Sequence, residues 1–433
     1  MSEGAARDRT ALAVAEAPDT EEILRGETGA PESKGGTFRS LKYRDYRLLW
    51  FSTLFASSAQ WIQQVTIGWL IYEMTGSAFL LGAVNGFRAL PLLFLAPIGG
   101  VLADRVERKM LMQATQYMLL VASVAMTAII FAGWIEVWHL FAFTFITGIG
   151  WALNNPVRQS VVPNLVPKYD LMNALALQSA GFNITRILGP TLGGYMLAHL
   201  GAGENFALQT FFYVGVIAMV VPVVIPRLPQ RNQSVSVRQN LRDGISYVWR
   251  TKQLRVQLAL AFVPTILAFP YMALMPIFAR DVLGYGSEGL GLMGTAVGIG
   301  AVIGTLTMAS LNNVQHKGKV MLSAVFLLGI SLIAFSQSKS MELSLVILAF
   351  TGASQMVYLT TNQTILQLSI PDHLRGRVMG IYMLSQGMMP LGGLLGGALA
   401  DATSAPTAVL IMGAMVCAMA VFFFLRSADL REA

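Results

Sequence analysis

Apolar residues run in long blocks along this chain, and polar residues gather between the blocks. Twelve such stretches can be placed, near 48–74, 78–103, 110–132, 138–160, 171–198, 206–226, 256–280, 289–311, 319–337, 343–367, 375–400 and 406–425. Each is about 20 residues or more, enough to cross a hydrocarbon core of about 30 Å as a helix. The pattern predicts an all-α membrane protein with twelve transmembrane spans.

The blocks repeat. Thr147-Gly148 and Thr351-Gly352, Gln159 and Gln363, and Pro167 and Pro371 recur at a spacing of 204 residues. Leu171 and Leu374, and Gly193-Gly194 and Gly396-Gly397, recur at 203. The chain therefore reads as two homologous six-span halves, and a duplicated membrane protein of this size reads as a transporter whose site lies between the halves. The expected organisation is a cytoplasmic tail over 1–37, a first bundle over 38–226, a linker over 227–255 and a second bundle over 256–433. Because the repeats pair spans 4–5 with 10–11, the two pseudo-symmetric six-helix bundles are expected to be related by a two-fold axis along the membrane normal. Spans 1, 2, 4, 5 and 7, 8, 10, 11 would surround a central cavity.

Composition agrees: 55% of residues are hydrophobic and 12% charged, against roughly 25% charged in an ordinary soluble domain. Of the 30 Lys and Arg residues, 26 fall on one side when both termini are cytoplasmic, as the positive-inside rule requires. Arg280 and Lys339 fall outside, and Arg88 and Arg186 fall within spans; Arg158 is counted with loop 4–5. The expected location is the inner (cytoplasmic) membrane, and the net charge of +7 is explained by inner-leaflet anchoring without a nucleic-acid partner. Residues 1–37 carry 8 acidic and 4 basic residues without apolar periodicity and read as disordered. In the linker, Val237, Leu241, Ile245 and Val248 at helical spacing read as an amphipathic surface helix, or as part of a simple tether.

Several chemistries have no residues to support them. A single cysteine, Cys417, excludes an internal disulfide, and His139, His199, His316 and His373 are scattered, so no metal cluster is visible. No Walker loop, nucleophile or metal constellation is present, so neither an ATP-driven pump nor an enzyme is expected and no cofactor is implied.

Gly100, Asp104, Arg105, Arg108 and Lys109 close span 2 and open span 3. This resembles the loop 2–3 motif of the major facilitator superfamily, with Glu107 where Gly is usual. Gly181, Thr185, Gly189 and Gly193 recur every four residues on span 5, and Gly189-Pro190 and Gly193-Gly194 end the series. This resembles the span 5 motif of the antiporter branch; the same spacing also serves static helix packing. Gly392, Gly393, Gly396 and Gly397 echo it on span 11. The stretch from Phe38 to Trp50, Tyr72 to Ser77, and Leu374 to Val378 resemble the exporters typified by enterobactin and macrolide efflux proteins. The resemblance implies the major facilitator fold, a monomer, alternating access and exchange of a small-molecule substrate for protons. Asp104, at the inner end of span 2, is expected to approach the start of span 11 near Arg377 and to hold the outward-facing state by a charge and dipole contact.

Charges inside the bilayer bear on the cargo. Arg88 and Arg186 sit at mid-span while none of the 23 carboxylates does. An ionised side chain there costs several kcal/mol unless it faces a cavity or partner. The pair favours an anionic, siderophore-like amphipathic cargo, unless each Arg only bonds neighbouring helices. Gln60 and Gln64 share a face of span 1, and Asn85 precedes Arg88 by three residues. Asn154, Asn155, Gln178, Asn362 and Gln363 mark spans 4, 5 and 10. These amides either line the cavity or join helices. Met383, Met388 and Met389 either form an adaptable wall or fill gaps. Proton coupling would then fall to peripheral acids, Glu73, Asp104 or Asp281. The alternatives are a broad drug or macrolide exporter and, in another class, a scaffold or receptor, which would not need Arg88 and Arg186 at mid-depth.

Overall fold

The computed structural model describes residues 36–105, 107–225, 245–310, 316–371, 374, 378–382, 385 and 387–427. Six helices form the first half: α1 (Arg44–Thr75), α2 (Ala78–Arg105), α3 (Arg108–Phe131), α4 (Val137–Leu165), α5 (Leu171–His199) and α6 (Ala202–Val220). The second half holds α7 (Lys252–Leu267), α8 (Tyr271–Ile277), α9 (Gly286–Ser310), α10 (Lys317–Gln337), α11 (Met341–Ser369), α12 (Met389–Ala402) and α13 (Ala405–Arg426). No strand occurs among the described residues. Each of the twelve predicted stretches holds a described helix, and seven helical segments among the described residues are long and apolar enough to cross a membrane.

The seventh stretch is broken. α7 stops at Leu267, α8 starts after Pro270, and the chain continues as a π-helical turn over Phe278–Val282. Pro264, Pro270 and Pro276 each lack a backbone donor, which explains the interruption. Of the linker, 227–244 lies outside the described residues, including Val237 and Leu241. Residues 245–250 are helical, and Val248 is buried in a cluster with Leu254, Leu258 and Ile370. The expected tail, but for residues 36 and 37, also lies outside.

Glycine decides how the helices meet. Within the first half, Gly189 lies against Trp61 and Gly193 against Ile62, joining α5 to α1. Within the second, Gly392 lies against Ile266 and Gly396 against Pro270, which is the same arrangement 203 residues on. Between halves, Gly194 meets Ser287 and Gly291 on α9, while Gly397 meets Ala78 and Phe79 on α2. The two interfaces, α5 with α9 and α2 with α12, are equivalents of one another, as a two-fold relation between the halves demands. Small residues permit this backbone approach. The close contacts lie toward the face where α1 turns into α2, the predicted outer face; there Gly76 takes a left-handed conformation at φ 62°.

The stretch before and into α1 is fastened to α5. Ser40 hydrogen-bonds Asn173 at 2.7 Å, Tyr46 donates to the Ala174 carbonyl at 2.7 Å, and Trp50 donates to the Leu177 carbonyl at 2.8 Å. Asp170 is paired with Arg39 and accepts from Tyr43 at 2.7 Å.

Candidate functional site

Two hollows lie between the halves and share Trp61, Gln63, Arg88 and Arg186 in their walls. The smaller, about 100 Å³, sits toward the predicted outer face, with Gln64, Asn85, Arg88 and Arg186 on one side and Phe269, Met272, Met275, Val297 and Met389 on the other. The larger, about 680 Å³, is lined by Gln60, Asn154, Asn155, Arg158, Gln178 and again Arg88 and Arg186, with Thr305, Met356 and Thr360 facing them from the second half. Its lining reaches toward the opposite ends of α1, α4, α5, α9 and α11, the predicted inner side.

The helical period explains who lines the space. On α11, Met356 and Thr360 are one turn apart and share the cavity face. Asn362 and Gln363 point elsewhere and line neither hollow: Asn362 is fully buried with both amide atoms unpaired among the described residues, and Gln363 is exposed. These two placements correct the expectation from sequence. Met389 lines the smaller hollow, Met388 is half-buried, and Met383 lies outside the described residues.

Arg158 is a second correction. Counted with loop 4–5 from the sequence, it stands inside α4, is only 8% exposed and lines the larger hollow. It donates to Ser52 at 2.9 Å and Thr53 at 2.6 Å on α1, and Gln178 donates to the same Thr53 at 3.1 Å. Its position within the predicted fourth span, four residues after Asn154, was the signal that could have found it. Gln63, also unmarked beforehand, donates to Thr147 at 3.0 Å and accepts from Gln209 at 2.9 Å, joining α1, α4 and α6.

Three guanidinium groups thus face one cavity system, and no carboxylate lines it among the described residues. Arg186 lies 6.0 Å from the centre of the Trp61 ring, and the Tyr271 hydroxyl at the start of α8 is unpaired among the described residues. The resulting site is electropositive on the first-half side; the second half gives the smaller hollow an apolar wall and adds Thr305 and Thr360 to the larger one.

The remaining expected residues lie elsewhere. Gly100, Asp104 and Arg105 end α2, with the side chains of Asp104 and Arg105 outside the described set; Arg377 is outside as well. Arg108 opens α3 and reaches the Ser160 carbonyl at 3.4 Å, and Lys109 is half-buried. Glu73 is exposed at the end of α1, and Asp281 accepts a hydrogen bond from Tyr72 across the halves. Neither acid lines a hollow. Of the span 5 motif, Thr185 donates to its own helix at the Phe182 carbonyl, 2.9 Å, Gly181 packs on Trp50 and Leu54, and Pro190 faces Gly291 and Gly294 of α9.

A family model described as transmembrane secretion effector matches residues 35–432. The staphyloferrin A transporter of Staphylococcus aureus is 27% identical, over 84% of this chain and 92% of its own length. Macrolide efflux protein A of Streptococcus pyogenes is 26% identical, over 88% and 96%. Among solved structures, a D-xylose-proton symporter superposes with a TM-score of 0.69 at 12% identity, covering 90% of this chain and 98% of that one. That likeness shows the fold, which is the major facilitator fold.

Proposed function

The chain belongs to the transmembrane secretion effector family of the major facilitator superfamily, and from that premise we propose that it exports a small anionic amphipathic molecule by alternating access. The observation that carries the charge assignment is the set of Arg88, Arg158 and Arg186 around a cavity that no described carboxylate lines. Guanidinium groups held at this depth are stabilised by an acidic cargo passing between them. The apolar wall of Phe269, Met272, Met275 and Met389 suits the cargo's other side.

With the Lys and Arg distribution placing both termini in the cytoplasm, the closed end is external and the larger hollow opens inward. This arrangement receives cargo from the cytoplasm. Proton exchange would act through acids outside the cavity, Glu73, Asp104 or Asp281, and Asp104 with Arg377 would form the inner gate when the outer end opens.

A second reading, a broad drug or macrolide exporter, draws on the same methionine-rich wall, which adapts to varied shapes. Efflux of anionic, neutral and cationic compounds of matched size from proteoliposomes separates the two. Preferential export of anions is the expected result, and equal export of all three, or preference for cations, rejects the anion assignment.

A further inference from the structure

We propose that Arg158 is a second anion anchor, so that the cargo carries two acidic groups set about 12 Å apart along the cavity; this rests on the anionic reading above. One ω-nitrogen of Arg158 is fixed by the hydroxyls of Ser52 and Thr53 at 2.9 and 2.6 Å. Both hydroxyls spend their own proton on the Leu49 carbonyl, at 2.7 and 2.9 Å, so each presents only lone pairs to the guanidinium. The group is therefore held in place before any ligand arrives. Its other ω-nitrogen is buried without a partner among the described residues, in a residue that lines the larger hollow.

A residue serving only to tie α4 to α1 would not need that second nitrogen. An amide or hydroxyl would bridge the same hydroxyls at a smaller desolvation cost. The planar fork, with one edge already committed and the other unpaired, suits a carboxylate arriving from the cavity.

The spacing follows from α5. Gln178 shares Thr53 with Arg158 and so marks its level, at 3.1 Å from the hydroxyl. Arg186 stands eight residues further along the same helix, about 12 Å at 1.5 Å per residue. Arg186 lines both hollows together with Arg88, whereas Arg158 lines only the larger. Two anchoring levels result, one at Arg88 and Arg186 and one at Arg158. A single carboxylate cannot occupy both.

The test uses the full chain in lipid nanodiscs and calorimetric binding of decanedioate, its monomethyl ester and its dimethyl ester. Wild type is expected to lose about tenfold or more in affinity with each acid group masked. In Arg158→Gln, decanedioate should fall to the level of the monoester while the monoester is unchanged; Arg158→Lys, which keeps the charge, should retain part of the preference. Equal weakening of diacid and monoester in Arg158→Gln overturns the proposal and makes the residue structural. Equal wild-type binding of diacid and monoester overturns it too, while leaving the anionic reading intact. A monoester no tighter than the diester rejects the anionic reading itself, and no binding by any of the three rejects both. A measurement without a mutant stands beside these: decanedioate should bind more tightly than hexanedioate, and the reverse order counts against two anchors at this spacing.

Discussion

The carboxylate of Asp401, near the end of α12, accepts the backbone N–H of Ala78 at 2.7 Å at the start of α2, in the other half of the chain. Phe79 N–H at 3.0 Å and the Ser77 hydroxyl at 2.9 Å complete the contact. The first turn of a helix leaves donors that it cannot satisfy itself, and a carboxylate there also meets the positive end of the helix dipole. This cap is supplied only while the halves are closed at that face. Losing a cap costs about 0.5–2 kcal/mol, so Asp401→Ala should shift the population severalfold toward the state open at this end. Spin labels at Thr75→Cys and Thr403→Cys, in a Cys417→Ser background, should report a longer mean distance; an unchanged distribution removes the latch role.

Gly194 offers a steric version of the same test. A Cβ added there would lie 2.5 Å from the Ser287 carbonyl oxygen and 2.8 Å from the Gly291 Cα, both backbone atoms that cannot swing aside. Gly194→Val should hold α5 away from α9, lengthen the same label distance and abolish transport while the chain still inserts. Gly380, where an added Cβ would meet nothing within 4 Å among the described residues, is the control position, where Gly380→Val should leave transport near wild type.

Arg88→Gln and Arg186→Gln keep hydrogen-bonding capacity and remove charge. A hydrogen bond to a charged group contributes about 1.5–3 kcal/mol. Each change should therefore weaken an anionic cargo about tenfold or more and a neutral one much less, in transport assays at saturating expression. Equal losses for both would assign the arginines to helix packing.

Asp170 predicts a pH dependence away from the cavity. Its burial raises its pKa, but hydrogen bonds from Tyr43 and Arg39 and the charges of Arg39 and Lys42 outweigh burial and hold it below the ordinary 3.8. A carboxyl with a depressed folded-state pKa stabilises the fold fully above the unfolded value, and that contribution is lost as pH falls through the folded one. Asp170→Asn should thus lower Tm at pH 7, and the gap to wild type should close progressively below about pH 4. A gap that persists unchanged at low pH would mean that the carboxylate charge plays no part.

The sequence by itself determined the spans, the duplication and the family resemblance. Each is a one-dimensional property: apolar length against bilayer thickness, and residues recurring at a fixed offset. The columns of glycine on the fifth and eleventh spans were legible for the same reason. Which neighbour each glycine meets was not, because Gly193 and Gly194 are adjacent in sequence yet face different halves, one against Ile62 and the other against Gly291. Helical rotation of 100° per residue separates them, and only the packing fixes which direction is which. The same rotation sent Asn362 and Gln363 away from the cavity that Thr360 lines. Arg158 looked like one more basic residue near the inner face, since a loop arginine and a buried one read alike in a charge count. Its burial, its fixed partners on α1 and the cap that Asp401 gives to α2 join residues more than 100 positions apart, and such contacts exist only once the helices are assembled.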